Sequence, residues 1–244
     1  MEKIKLTKLT LSQEELNKLD PKQKKRFLML TCFLRDLSLL QKCLLYTNNS
    51  KSTDEIQESA TTTISFFFLK TLISKIHEMW FFLNCNKVLD DYPQFSDTLK
   101  EKIKPIQDFF SEENNILAFI RNKFGFHYEY WSDIDKEIDT SFQRIQTYEA
   151  WLSLENSANE IFSSSNAIIL DVIFSKMKNL GFEGDEKQLM DELFKLTLQF
   201  ANLFRDFTIY YLTEVFPIKW EQEKESETEA HKLSEILLPL IVAK

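Results

Sequence analysis

Apolar residues recur at helical spacing over most of this chain. Phe27, Leu30, Leu34, Leu37 and Leu44 lie three, four or seven positions apart and predict a helix from about Pro21 to Tyr46. The fixed φ of Pro21 suits a first helical position. Ser12, ahead of Glu14 and Glu15, reads as the N-cap of a shorter helix before it. Asn48 to Thr53 is polar and predicts a loop. A second long helix is expected over Ile64–Asn84, the most apolar stretch. Lys70, Lys75, His77 and Glu78 interrupt it. A membrane span of about 20 residues does not normally carry four such groups, so the expectation is a buried helix with one polar edge. Asp90 to Ser96, with Pro93, breaks the pattern. A third stretch follows over Thr98–Phe110, with a break expected near Pro105. Ser111, Glu112 and Glu113 read as the cap of a helix whose Ile116, Leu117 and Ile120 share one face. Asp133–Thr147 predicts a helix that is acidic on one side.

The period changes after that. Tyr148–Leu154 and Glu160–Ser163 flank the polar run Glu155–Asn159, which predicts a small β-hairpin over about 148–163, with a continuous helix as the competing reading. Ser164 or Ser165 would cap a helix over Asn166–Lys178, and Gly181 and Gly184 mark a loop. Leu189, Leu193, Leu196, Phe200, Leu203, Phe207 and Tyr210 make Glu186–Phe216 strongly periodic, and Pro217 ends it. A last helix with a solvated Glu/Lys face is expected from Trp220 to about Ile241. There is no internal repeat and no long polar linker. The fold class is therefore mostly α, a helical bundle forming one domain over residues 1–244.

Composition narrows the functions. Apolar residues make up 43% of the 244, enough for a sizeable core. Three glycines, Gly125, Gly181 and Gly184, cannot build a P-loop or a dinucleotide-binding turn, and with five prolines they also disfavour a fold of many tight β-turns. Cys32, Cys43 and Cys85 fall at no metal-ligand spacing and read as buried or partly buried thiols of a reducing cytosol. No metal site or cofactor is expected. Residues 1–11 lack the apolar core of a signal peptide, so a cytoplasmic location is expected. A net charge of −8 argues against nonspecific nucleic-acid binding. The charge is uneven, however: residues 1–60 carry 11 Lys+Arg against 8 Asp+Glu, and residues 111–160 carry 4 against 10. Lys22, Lys24, Lys25 and Arg26 form the densest basic cluster, either a local RNA-attracting patch or, more ordinarily, a solvated helix face.

One constellation stands above this background: Ile120-Arg121-Asn122-Lys123-Phe124-Gly125-Phe126-His127-Tyr128. On an uninterrupted helix, residues six apart diverge by about 120°. A left-handed Gly125 ending the helix, or a kink or bulge, would turn His127 back toward Arg121. Arg offers a planar fork that matches phosphate oxygens, and His titrates near neutrality. Asn122 adds donors that orient either partner.

This segment resembles the signature of the HEPN superfamily: an Arg, often followed by Asn, Asp or His, then a His after four to six residues. Here Asn122 follows Arg121, and five residues precede His127. Specific resemblance covers about residues 112–131. Helical context extends it over about 22–147 as a HEPN-like core, with 148–244 as a C-terminal helical extension. The resemblance implies a metal-independent endoribonuclease with Arg121, Asn122 and His127 as catalytic residues. His127 would move the proton of a ribose 2′-OH, and Arg121 would stabilise charge at phosphorus. It also implies a homodimer with facing motifs, and a toxin–antitoxin or abortive-infection role in which RNA is the substrate and an antitoxin or another protein is a partner. Lys123, Tyr128 and Tyr130 are weaker candidates for substrate contact, the tyrosines by base stacking. Core or dimer contacts are the plainer role for the aromatic residues, Trp131 among them. Some HEPN toxins carry a Tyr two residues after the His; Glu129 stands there in this chain, which weakens control by that route.

His77-Glu78 would add to such a site or serve as satisfied helix-edge groups; without a second His at zinc-site spacing, a metal is unsupported there. His231 and the Asp133/Asp135 pair read as solvated. A structural role for Arg121 and His127, capping carbonyls or pairing with Glu129 or Asp133, also competes. The alternative function is a non-catalytic HEPN-like helical module that binds nucleotide, nucleic acid or a protein partner.

Overall fold

The computed structural model describes residues 2–49, 54–112, 115–125, 134–145, 147–150 and 163–230. In chain order these hold β1 (Glu2–Thr10), α1 (Gln13–Asn17), α2 (Pro21–Asn49), α3 (Glu55–Cys85), a 3₁₀ segment (Leu89–Gln94), α4 (Asp97–Ser111), α5 (Ile116–Phe124), α6 (Asp135–Arg144), α7 (Ser163–Asn179), α8 (Glu186–Glu214) and β2 (Glu221–Ala230). The protein is a mostly α helical bundle.

α3 is the central element. It packs on α2, α5, α7 and α8, and α4 lies along α8. The sequence explains this. Leu69, Leu72, Ile73, Ile76, Met79 and Leu83 of α3 are fully buried. They meet Leu30, Leu37 and Leu44 of α2 and Leu193, Phe200, Phe204 and Phe207 of α8 in one continuous core. Burying such side chains stabilises by about 1.5–3 kcal/mol each against leaving them wet. The phenylalanine-rich composition is used as ring-on-ring packing. Phe109 and Phe110 of α4 lie 4.1 and 5.7 Å from Phe200, and Phe110 stacks on Trp80 at 5.5 Å.

Caps set most of the helix starts, although α3 begins at Glu55, well before the expected Ile64. The Ser12 hydroxyl accepts from the Glu15 N–H, the Asp54 carboxylate from Gln57, the Ser96 hydroxyl from Leu99, and Asp185 forms a reciprocal capping box with Gln188. Gly181 and Gly184 both have positive φ in the α7–α8 loop. Several expectations are corrected. α4 runs through Pro105 without a break. α5 is capped by Asn115, whose side chain accepts from the Ala118 N–H at 2.7 Å, because Ser111 still belongs to α4 and bonds back to the Gln107 carbonyl. α7 begins at Ser163, and Ser164 instead donates its N–H to the Glu149 carbonyl and accepts from the Glu149 N–H. Cys85 is exposed, while Cys32 and Cys43 are partly buried. Most of the hairpin expected over 148–163 lies outside the described residues; Tyr148 to Ala150 carry no regular structure.

The largest correction concerns the last helix. Glu221–Ala230 is a β-strand paired antiparallel with Glu2–Thr10, from Glu2 opposite Ala230 to Thr10 opposite Glu221. Glu and Lys favour helix locally, but β1 alternates Ile4, Leu6 and polar residues, and a partner two hundred residues away settles the strand. Residues 231–244 lie outside the described residues.

Candidate active site

α5 is short, and its composition fixes how it sits. Ile116, Leu117, Ile120 and Phe124 are buried. Arg121 is four residues after Leu117 and three before Phe124, so it flanks the buried stripe. Asn122, four after Ala118, faces outward and is exposed. The Arg121 Nη1 donates to the Asn122 Oδ1 at 2.9 Å. No carboxylate among the described residues pairs with Arg121. Both groups sit in the last turn of α5, where a cation also meets the negative end of the helix dipole.

Gly125 ends the helix, with its N–H bonded to the Arg121 carbonyl at 3.2 Å. The expected left-handed conformation is not found: φ is −70° and ψ is −127°. The glycine is required for another reason. A Cβ there would lie 2.5 Å from the Arg121 carbonyl oxygen and 2.8 Å from the Ser74 Oγ of α3. Close approach to the Arg121 carbonyl of α5 and to Ser74 of α3, rather than a positive φ, selects glycine here.

This approach brings α3 to the end of α5. His77 lies one turn beyond Ser74 on α3, and Arg121 lies one turn before Gly125 on α5. The His77 imidazole is half-buried, with its ring edge-on to Phe110 at 6.2 Å. Its basicity falls below the usual imidazole value, first because of burial and then because of the Arg121 charge, with Glu78 opposing. The His77 Nδ1 and the Ser74 Oγ are buried and have no hydrogen-bond partner among the described residues. Such orphaned groups are uncommon in folded proteins.

On its other side α5 borders a cavity of about 320 Å³ between α5, α6 and α7. Asn115, Asn122, Lys123, Glu137, Lys176 and Asn179 supply its polar lining, and Phe119, Ile134 and Val172 its apolar wall. The Lys176 Nζ lies 5.5 Å over the Phe119 ring. This volume falls in the range of small-ligand pockets.

Of the residues singled out in the sequence, Arg121, Asn122 and Lys123 share the last two turns of α5, and the latter two line the cavity. His127, Tyr128, Tyr130, Trp131 and Glu129 lie outside the described residues. His77, first read as a satisfied helix-edge group, has an unsatisfied ring nitrogen in the structure. Sequence reasoning missed Ser74, Lys176 and Asn179. A lone serine between Ile73 and the Lys75-Ile76-His77 run was a signal for the first; the other two depend on how α7 packs. The basic cluster of α2 also divides. Lys22, Lys24 and Lys25 are exposed, whereas Arg26 is 6% exposed and built into the core. Among the described residues no group of three or more His, Cys, Asp and Glu is placed to hold a metal, and no helix is long and apolar enough to cross a membrane.

Comparison of the chain with protein-family models, with curated proteins and with solved structures returns no match.

Proposed function

We propose that the protein is a metal-independent endoribonuclease of HEPN type, with Arg121, Asn122 and His127 as its catalytic group and a toxin or abortive-infection effector as its setting. One observation carries the reading: among the described residues, Arg121 is held only by the neutral carboxamide of Asn122. A guanidinium without a carboxylate at the end of a helix keeps its full charge for an incoming phosphate. His127 is two residues past Gly125, so chain geometry holds its Cα within about 7.6 Å of the Cα of Gly125.

The chemistry needs no redox partner. His127 takes the proton of a ribose 2′-OH, and the 2′ oxygen attacks the adjacent phosphorus. The bond to the 5′ oxygen breaks, and that oxygen receives a proton, leaving a 2′,3′-cyclic phosphate and a 5′-OH. Arg121 offsets the negative charge that builds on the phosphoryl oxygens, and Asn122 holds Arg121 in place. A second copy of the chain facing this end of α5 would widen the groove for RNA.

The test uses purified wild type, Arg121→Ala and His127→Ala with bulk RNA in excess chelator. Wild type is expected to cleave, and each variant to fall by about a hundredfold or more while keeping its helical circular dichroism. Equal cleavage by all three proteins, or none by the wild type, overturns the proposal.

A further inference from the structure

We propose that His77 is a further substrate-contacting residue of this site, an imidazole whose Nε2–H donates to the phosphoryl oxygen that Arg121 also binds. This inference rests on the ribonuclease reading above.

Geometry points there first. Gly125 packs so closely on α3 that a methyl group would strike the Ser74 Oγ. His77 lies on the next turn of α3, within the field of the Arg121 charge. Two buried polar atoms without partners, the Ser74 Oγ and the His77 Nδ1, occupy this one face. A fold that only needed to fill the space would place apolar atoms there, as Leu69, Leu72, Ile73 and Ile76 do elsewhere on α3.

The tautomer follows from the burial. An orphaned buried N–H is rarer than an orphaned acceptor, so the ring proton belongs on Nε2. Among the described residues the Nε2 makes no hydrogen bond, and it is not among the buried unpartnered atoms, so it is the solvent-facing nitrogen of a half-buried ring. Protonating Nδ1 would bury a charged, unpaired N–H beside a guanidinium. The surroundings agree. Arg121 of α5 opposes a second charge, and Glu78 of α3 itself favours it less strongly than burial and Arg121 oppose it. α4 presents Phe110 to the ring, and α8 presents Phe200 and Phe204 behind it. On α2, Asp36 is taken up by Lys75 at 3.5 Å, and α7 meets α3 near its start, where the Asn166 Nδ2 donates to Thr63 at 2.8 Å. A neutral imidazole donates a hydrogen bond without competing with Arg121 for charge, and it strengthens as the phosphoryl oxygens gain charge.

The test compares His77→Ala and His77→Gln with wild type on RNA in excess chelator, across pH 5 to 8. Glutamine places an N–H near the Nε2 position and does not titrate. The expected result is a loss of roughly a hundredfold in His77→Ala, recovery of most of that loss in His77→Gln, and an unchanged pH profile in His77→Gln. Nitrogen NMR of the wild-type ring should show the Nε2–H tautomer, and the His77 pKa should rise in Arg121→Gln. Wild-type cleavage by His77→Ala, while Arg121→Ala is inactive, overturns this inference and leaves the ribonuclease reading standing. Loss in His77→Gln as deep as in His77→Ala, with the low-pH limb changed, overturns it in favour of a titrating base. If Arg121→Ala and His127→Ala cleave normally, the ribonuclease reading itself fails. Should His77→Ala unfold, the NMR tautomer and its response to Arg121→Gln decide the matter in full-length folded protein.

Discussion

Arg26 and Arg121 are the same residue type in opposite surroundings. Arg26 is 6% exposed, and every face of its guanidinium is occupied. Its Nη2 donates to the carbonyls of Asn86 and Lys87, each at 2.7 Å. Its Nη1 reaches the Asp91 carboxylate at 2.8 Å and the Tyr211 hydroxyl at 3.4 Å. Tyr211 in turn donates to Asp91 at 3.0 Å. This network ties the start of α2 to the end of α3, the 3₁₀ segment and α8. It also anchors Lys87, whose φ of +55° is unusual for a residue with a side chain. Arg121 is half-exposed and, among the described residues, holds one neutral oxygen. On the proposed reading, the difference separates a cation consumed by the fold from one kept for substrate. Charge alone, or position in a basic run, does not distinguish the two.

That contrast can be broken by mutation. Arg121→Ala should give the largest functional effect, about a hundredfold or more in RNA cleavage, with stability within about 0.5 kcal/mol of wild type because little depends on it structurally. Arg26→Met should do the reverse. It leaves Asp91 and two carbonyls without their cation and should cost about 3 kcal/mol in urea unfolding, with RNA cleavage unchanged under conditions where the variant is folded. Tyr211→Phe removes one hydroxyl from the same network and should cost about 1–2 kcal/mol by the same measurement.

The smallest effect concerns pH. His77 has a folded pKa below its unfolded value, so between the two the unfolded chain binds more protons. Its contribution is therefore complete above about pH 6.5 and is lost as pH falls from there to the lowered folded pKa. Unfolding of wild type between pH 7 and 5 should show this loss, and His77→Gln should flatten it. A His77→Gln curve parallel to wild type would place the ring in an ordinary solvated setting.

Much of the bundle was legible because its determinants are local. Ser12, Pro21 and the Gly181–Gly184 loop announce helix starts, and the leucines and phenylalanines of α2, α3 and α8 repeat at helical period. What failed depends on distant partners. Glu221–Ala230 looks helical until Glu2–Thr10 is placed beside it, and Arg26 looks like a surface cation until Asn86, Asp91 and Tyr211 converge on it. The site divides the same way. The Arg121-Asn122 step was visible as a motif. The unpartnered Ser74 and His77 appeared only once Gly125 had docked on α3, and the cavity required α7.

The central claim is that Arg121 is retained for a substrate phosphate. Its most direct test is the single-turnover rate of oligoribonucleotide cleavage by Arg121→Ala relative to wild type, in excess chelator and at a temperature where both are fully folded. The account predicts a rate lower by about two orders of magnitude or more. Equal rates would contradict it.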